Sequence, residues 1–257
     1  MKFLEGKKAV VTGGSEGIGF AIVEAFLKNG AEVLVISRSQ KKLDFASDKL
    51  SVYKNKVHTL SFDLFDLQEI SNLVQEINVM FYKVDILVNN AAMGLFKKIE
   101  DIEPIELENT LRLNVQSPYI LTQQLLPSLV RARGNVINMS SYFSNKMIYG
   151  RYSTVYSITK GAIDSFTKSL ASELGSKGIR VNAIAPGSVK TSLFNKAVDK
   201  MDREQREIFL NNIKKIYPLE RIGEPDDLGG IAVFLASDLA NWITGSITNV
   251  DGGLTVN

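Results

Sequence analysis

Tyr156 and Lys160 stand four residues apart in a stretch, residues 154–175, whose apolar residues recur at helical spacing. Side chains four apart share a helix face, so a phenol and an ammonium can be aimed at one point. A free tyrosine titrates near about 10 and is a slow proton carrier at neutral pH. A fixed positive charge beside it favours the phenolate. Each unit of depression takes about 1.4 kcal/mol, which one close lysine in a poorly solvated cleft can supply. The pair therefore predicts proton exchange with a substrate oxygen, on a helix capped by Ser153 or Thr154. Tyr152 and Tyr156 are also four apart, but the partner there is not a lysine.

A second motif lies near the beginning. The apolar run Ala9-Val10-Val11 leads straight into Thr12-Gly13-Gly14-Ser15-Glu16-Gly17-Ile18-Gly19 and then into a helical pattern over residues 19–29. Glycines permit a tight turn and close backbone approach to a pyrophosphate, and the following helix N-terminus offers free N–H groups and partial positive charge. The spacing is Gly-x-x-x-Gly-x-Gly, at Gly13, Gly17 and Gly19. A strand, such a loop and a helix at the head of a β-α-β series predict dinucleotide binding.

The second apolar run ends at Ser37-Arg38, where an NAD site would carry an acidic residue for the ribose 2′-hydroxyl. Ser37 has no charge to repel a 2′-phosphate, and the Arg38 guanidinium can pair with one. Glu16 argues the other way, as an anion near the adenosine ribose. On balance NADP(H) is favoured over NAD(H).

Composition removes other chemistries. Cysteine is absent and His58 is the only histidine, so disulfides, thiolate catalysis and multi-histidine metal sites are excluded, and no metal is expected. His58 reads as a loop or strand-edge residue. A net charge of +2 leaves no electrostatic footprint for nucleic acid or a membrane surface. No run reaches the roughly 18 apolar residues of a membrane span, and the first residues do not resemble a secretory signal. The expectation is a cytoplasmic protein with a small-molecule substrate.

Apolar, β-branched runs at 9–11, 33–36, 57–62, 84–88, 136–139, 181–184 and 247–250 alternate with amphipathic stretches at 19–29, 66–80, 106–130, 154–175 and 226–235. Runs apolar on both sides predict strands covered on both faces, hence a parallel sheet. The alternation continues without linker or repeat, predicting one α/β domain over residues 1–257, a doubly wound parallel sheet with helices on both faces. Residues 188–218 break the rhythm. They are helical and charged, and are expected to be an insertion covering the substrate crevice.

With these pieces in order, the chain resembles the short-chain dehydrogenase/reductase family over nearly its whole length. The resemblance is carried by the loop at residues 12–19, Asn89-Asn90-Ala91-Ala92, Asn114, Ser140-Ser141, Tyr156 to Lys160, Pro186-Gly187-Ser188-Val189-Lys190-Thr191, Thr244-Gly245 and Val250-Asp251-Gly252-Gly253. It implies a Rossmann-type fold and hydride transfer between a nicotinamide cofactor and a carbonyl or alcohol. Tyr156 would be the general acid in reduction and the base in oxidation. Lys160 would lower the tyrosine pKa and bind the nicotinamide ribose. Ser141 would donate to the substrate oxygen. Asn114 would hold a water relaying protons to Lys160.

For the cofactor, the resemblance implies contacts from Thr12, Gly13, Ser15, Glu16, Gly17, Ile18, Gly19, Ser37 and Arg38, from Asp63 and Leu64 at the adenine, and from Asn90, Ala91 and Ala92. Pro186, Gly187, Val189 and Thr191 would follow, with Thr191 holding the carboxamide. Three features depart from the family pattern: Ala92 replaces the commoner glycine, Glu16 bears on cofactor choice, and Ser141 lies fifteen residues before Tyr156, a slightly long interval. The last leaves Ser140 or Ser144 as weaker candidates.

Tyr142, Phe143, Met147, Ile148, Tyr149, Tyr152, Leu193, Phe194 and Met201 are candidate pocket residues, which predicts a hydrophobic or ring-containing substrate. A 3-oxoacyl-thioester reductase is the runner-up, with Arg131, Arg133 and Lys177 as a small basic patch for an acyl-carrier or coenzyme A partner. A catalytically silent dinucleotide-binding regulator is the alternative of another class, but it would dispense with the tyrosine or the lysine, and both are present. Family resemblance also implies a homo-oligomer, a tetramer.

Overall fold

Ala9 and Val11 face one side of the first strand and Val10 the other, yet all three are fully buried. Only a strand covered on both faces allows that. The computed structural model, which describes residues 2–198 and 202–256, places this strand inside a seven-stranded sheet of order β3-β2-β1-β4-β5-β6-β7. The strands are β1 (Lys8–Thr12), β2 (Glu32–Ser37), β3 (Val57–Ser61), β4 (Ile86–Asn89), β5 (Asn135–Met139), β6 (Arg180–Pro186) and β7 (Ile247–Val250). Every neighbouring pair is parallel; Val10 pairs with both Leu34 and Leu87, and Val136 with Leu87 and Val181. The α/β fold class and the doubly wound sheet are as the sequence implied.

The helices are α1 (Gly17–Lys28), α2 (Gln40–Lys49), α3 (Ile70–Met80), α4 (Pro104–Leu111), α5 (Ser117–Ala132), α6 (Thr154–Leu174), α7 (Ser192–Val198), α8 (Arg203–Ile216) and α9 (Gly229–Ala236). Ile22 and Phe26 of α1 and Ala232 and Leu235 of α9 pack on Val11, Val35, Val88 and Ile137. On the opposite face Leu73 and Ile77 of α3 and Leu121, Leu125 and Leu129 of α5 pack on Val10, Leu34, Leu87 and Val136. Each fully buried valine, leucine, isoleucine or phenylalanine among them contributes about 1.5–3 kcal/mol, so the two slabs fix the strand ends against which the site is built.

The element edges differ from the sequence pattern in ways with identifiable causes. α2 was not expected: it buries little more than Leu43 and Ala46, and is started by the Ser39 side chain accepting from the Lys42 N–H. The stretch 106–130 is not one helix. α4 begins earlier, at Pro104, with a reciprocal Glu103–Glu106 cap, and a π-helical turn, Arg112–Gln116, separates it from α5. α3 starts at Ile70 because Asp63 and Asp66 turn the preceding chain by accepting from the N–H groups of Phe65 and Gln68. α9 is preceded by a short 3₁₀ turn, Pro225–Leu228. His58 lies in the edge strand β3, its Nε2 2.8 Å from a Glu32 oxygen. Among the described residues no helix is long and apolar enough to cross a membrane.

Candidate active site

The strand order reverses direction between β1 and β4, and in parallel sheets a crevice opens there beyond the C-terminal strand ends. Thr12 and Asn90 lock this opening. Thr12 Oγ1 accepts from the N–H groups of Asn90 (3.0 Å) and Ala91 (3.1 Å), and the Asn90 Nδ2 donates to the carbonyls of Thr12 (2.9 Å) and Gly13 (3.1 Å). Thr12 is therefore beneath the loop, 2% exposed, rather than in the cleft. Gly17 has φ +57°, a left-handed conformation that side chains resist, and a Cβ on Gly19 would sit 2.3 Å from the Gly13 carbonyl oxygen. Glycine is needed at both.

A cleft of about 430 Å³ runs along these strand ends. Of the sequence candidates, Gly13, Ser15, Glu16, Gly17, Ile18, Gly19, Ser37, Arg38, Asp63, Leu64, Asn90, Ala91, Ala92 and Thr191 line it. Pro186, Gly187 and Val189 do not. Pro186 closes β6 against Val250, Gly187 lies against Asp251, and buried Val189 bridges to Gly223, so these three shape the turn that delivers Thr191. Lys42 also lines the cleft and was missed, because its helix was missed. Its ammonium pairs with Glu16, whose other oxygen accepts from Ser192 Oγ at 2.8 Å. The anion that argued against a phosphate thus has a cation beside it. Ser15 Oγ donates to Ser37 Oγ at 2.9 Å, joining the loop to the end of β2.

Further along, Met93 lines the cleft and leads to the proton-transfer candidates. Asn114, in the π-helical turn, accepts from the Met93 N–H (2.8 Å) and donates to the Met93 carbonyl (2.8 Å) and to Thr159 Oγ1 (3.2 Å). Both ends of its amide are engaged with protein, so its side chain ties the cleft loop to α6 rather than presenting a free water ligand. Such π turns recur at functional sites.

Tyr156 and Lys160 share one face of α6, the ammonium 5.5 Å from the centre of the phenol ring. The phenol is hydrogen-bonded to Ser141. Ser140 bonds Asp164 instead, and the buried Ser144 hydroxyl has no hydrogen-bond partner among the described residues, so Ser141 is the serine of the three that meets the phenol. The electrostatics run opposite to the sequence expectation. Burial pushes Tyr156 up to about 12, helped by neighbouring Tyr142 and opposed by the Ser141 bond. Burial also lowers Lys160 to about 8, against the charge of Asp164. Lys160 Nζ donates to the Met139 carbonyl at 2.7 Å, and for both groups burial, which works against the charged form, is the largest influence.

Aromatic rings surround the phenol. Phe96 and Phe143 lie 5.2 and 5.8 Å from the Tyr156 ring, Phe96 5.6 Å from Phe143, and Tyr142 stacks on Phe143 at 4.0 Å. Ile148, Phe194, Ile213 of α8 and Tyr217 complete the cluster. Phe96 was not a sequence candidate; it sits in an irregular loop without periodicity to flag it. Met147, Tyr149 and Tyr152 point outward, 60%, 105% and 52% exposed. Met201 and the Leu193 side chain lie outside the described residues.

Residues 13–255 match the family model described as enoyl-(acyl carrier protein) reductase. The chain is 37% identical to a 3α-hydroxysteroid dehydrogenase of Mediterraneibacter gnavus over 97% of each chain. It is 31% identical to a 3-oxoacyl-(acyl-carrier-protein) reductase of Thermotoga maritima, covering 98% of this chain and 99% of that one. The crystal structure of L-sorbose reductase from Gluconobacter frateurii, complexed with NADPH and L-sorbose, superposes with a TM-score of 0.92 at 30% identity, covering 99% of each chain. The chain belongs to the short-chain dehydrogenase/reductase family and is an oxidoreductase of that family.

Proposed function

We propose that this oxidoreductase interconverts a hydrophobic or ring-bearing ketone and its alcohol, favours NADP(H), and uses Tyr156 as the proton donor and acceptor. The observation that carries the reading is the Tyr156–Ser141 hydrogen bond with the Lys160 ammonium on the same helix face, inside an aromatic enclosure. Bound along the cleft, the dinucleotide supplies or accepts the hydride. The residues present suit it: backbone N–H groups at the start of α1 for the pyrophosphate, Leu64 and Asp63 at the adenine end, and Thr191 toward the nicotinamide. Arg38 and Lys42 flank the place of a 2′-phosphate, and the Glu16 charge is already countered.

The protein's own steps follow from position and charge. Ser141 orients the substrate oxygen and donates to it as charge builds there. Tyr156, held neutral by burial, releases its proton to that oxygen in reduction. Lys160 steadies the developing phenolate while its ammonium persists, and Asn114 holds Met93 and Thr159 so that loop and helix keep register. Buried Tyr142 and Phe143 keep water from one side of the phenol, and half-exposed Phe96 at the rim offers flat apolar surface to a substrate. Within the expected covering segment, α7 and α8 pack on this side through Phe194 and Ile213.

Similarity to the hydroxysteroid dehydrogenase supports a polycyclic substrate; similarity to the acyl-carrier-protein reductase supports 3-oxoacyl thioesters as the second reading. Against the latter, Arg131 of the supposed basic patch is engaged with the Tyr82 carbonyl and Ser128. The test is a panel of steroid ketones, simple cyclic ketones and 3-oxoacyl thioesters, assayed by nicotinamide absorbance with NADPH and NADH in parallel. Turnover of ring ketones with NADPH is expected. Turnover of thioesters alone, or tighter binding of NADH, contradicts the reading. A homotetramer is proposed on family grounds, and light scattering during size exclusion checks it.

A further inference from the structure

Helix α6 grips the end of β5 at three points. The Tyr156 phenol is bonded to the Ser141 hydroxyl, Lys160 Nζ donates to the Met139 carbonyl at 2.7 Å, and Ser140 Oγ donates to Asp164 Oδ1 at 2.5 Å. Positions 156, 160 and 164 are successive turns of one face, and 139, 140 and 141 are consecutive residues. Two of the three contacts involve the proton-transfer pair. The third, Asp164 with Ser140, touches no reacting atom but holds the residue between the other two. The Ser140 N–H also donates to the Ile184 carbonyl at 2.8 Å, so backbone and side chain of this residue are pinned from opposite sides. A bond to a carboxylate is among the stronger kinds and is directional.

Asp164 also lies one helical turn from Lys160 and is the charged group acting on its ammonium, favouring the protonated form against burial. The two groups in direct contact with the ammonium are uncharged: the Tyr156 phenol ring on the same helix and the Met139 carbonyl of β5.

We propose that Asp164 is a positioning residue for the reaction: by holding Ser140 it sets the direction of the Ser141 hydroxyl, and its carboxylate supplies the negative charge that balances the Lys160 ammonium. This rests on the proton-transfer roles proposed above for Tyr156 and Lys160. The two arms separate by substitution. Asp164→Asn removes the charge and keeps an acceptor for Ser140; Ser140→Ala removes the bond and keeps the charge; Asp164→Ala removes both.

The test combines a titration without cofactor and a kinetic measurement with it. Lysine side chains labelled with carbon-13 are followed by NMR, the Lys160 signal being assigned by its loss in Lys160→Arg. In the unsubstituted protein it is expected to titrate at about 8, lowered by burial. Asp164→Asn should move it about half a pH unit or more lower, and Ser140→Ala should leave it in place. In turnover, Ser140→Ala and Asp164→Ala should each lower kcat about tenfold with cofactor affinity unchanged, and the double variant should be no slower than Asp164→Ala. An unmoved Lys160 titration in Asp164→Asn overturns the charge arm. Turnover of Ser140→Ala within about twofold of the unsubstituted protein overturns the positioning arm. Should Asp164→Ala fail to fold, the isosteric Asp164→Asn and Ser140→Ala decide both arms. Absence of turnover in the unsubstituted protein would count against the proposed function, while the NMR titration would still judge the charge arm.

Discussion

The two ends of the site are built in different ways. The centre of the proposed nucleotide end is made by neighbours in sequence: a strand, a glycine turn and a helix start within residues 8–28, closed by one threonine–asparagine lock to β4. That turn offers backbone, and side chains such as Arg38, Lys42, Asp63 and Thr191 reach the cleft around it from other strand ends. The proposed substrate end is made by side chains from distant places: Phe96 from one loop and Phe143 from another meet the Tyr156 ring, in one cluster with Tyr142 and with Ile213 and Tyr217 from far downstream. Backbone recognition constrains spacing and glycine content; side-chain recognition constrains only which bulky groups meet. The first is general to dinucleotides, and the second can vary its substrate without disturbing the fold.

Substitutions on each side should expose that difference. The largest effect is expected for Tyr156→Phe, which removes the proton donor and keeps the ring packing. Turnover should fall by roughly 10²–10⁴-fold, with cofactor affinity by fluorescence titration unchanged. At the nucleotide end, Gly19→Ala drives a methyl against the Gly13 carbonyl. The strain of about 1–3 kcal/mol should lower the melting temperature and cofactor affinity together, for every substrate alike. At the substrate end, Phe96→Ala removes ring contacts worth about 0.5–1.5 kcal/mol. It should raise KM for ring-bearing substrates about two- to tenfold and leave cofactor affinity alone. The smallest effect is expected for Lys42→Ala. Its ion pair with Glu16 is half exposed and contributes little stability, but the preference for NADPH over NADH should narrow about severalfold. If Phe96→Ala weakened cofactor binding as much as Gly19→Ala, the division between the two ends would not hold.

The division also explains what could be read from the amino-acid order. The alternating apolar runs gave the sheet because strands buried on both faces need them, and the glycine loop was visible because backbone approach demands particular residues at fixed spacing. α2 was invisible because it buries so little, and with it went Lys42. The π-helical turn leaves no pattern distinct from an ordinary helix, so Asn114 was placed on a continuous one. Phe96 carried no periodic signal. The direction of the Tyr156 and Lys160 shifts is set first by burial, which is not encoded in a four-residue spacing. Asp164 continues that spacing by one more turn, but its meaning appears only once Ser140 is seen beside it.

The central claim is that a neutral phenol beside a charged lysine delivers the proton. Its most direct test is the pH dependence of single-turnover ketone reduction, monitored by nicotinamide absorbance from about pH 5 to 10. Tyr156 keeps its proton to about 12, whereas Lys160 loses its charge near 8. The rate should therefore be level in acid and fall as pH rises through about 8. A rate that climbed through the same range would mean that a deprotonated group drives reduction, and would contradict the account.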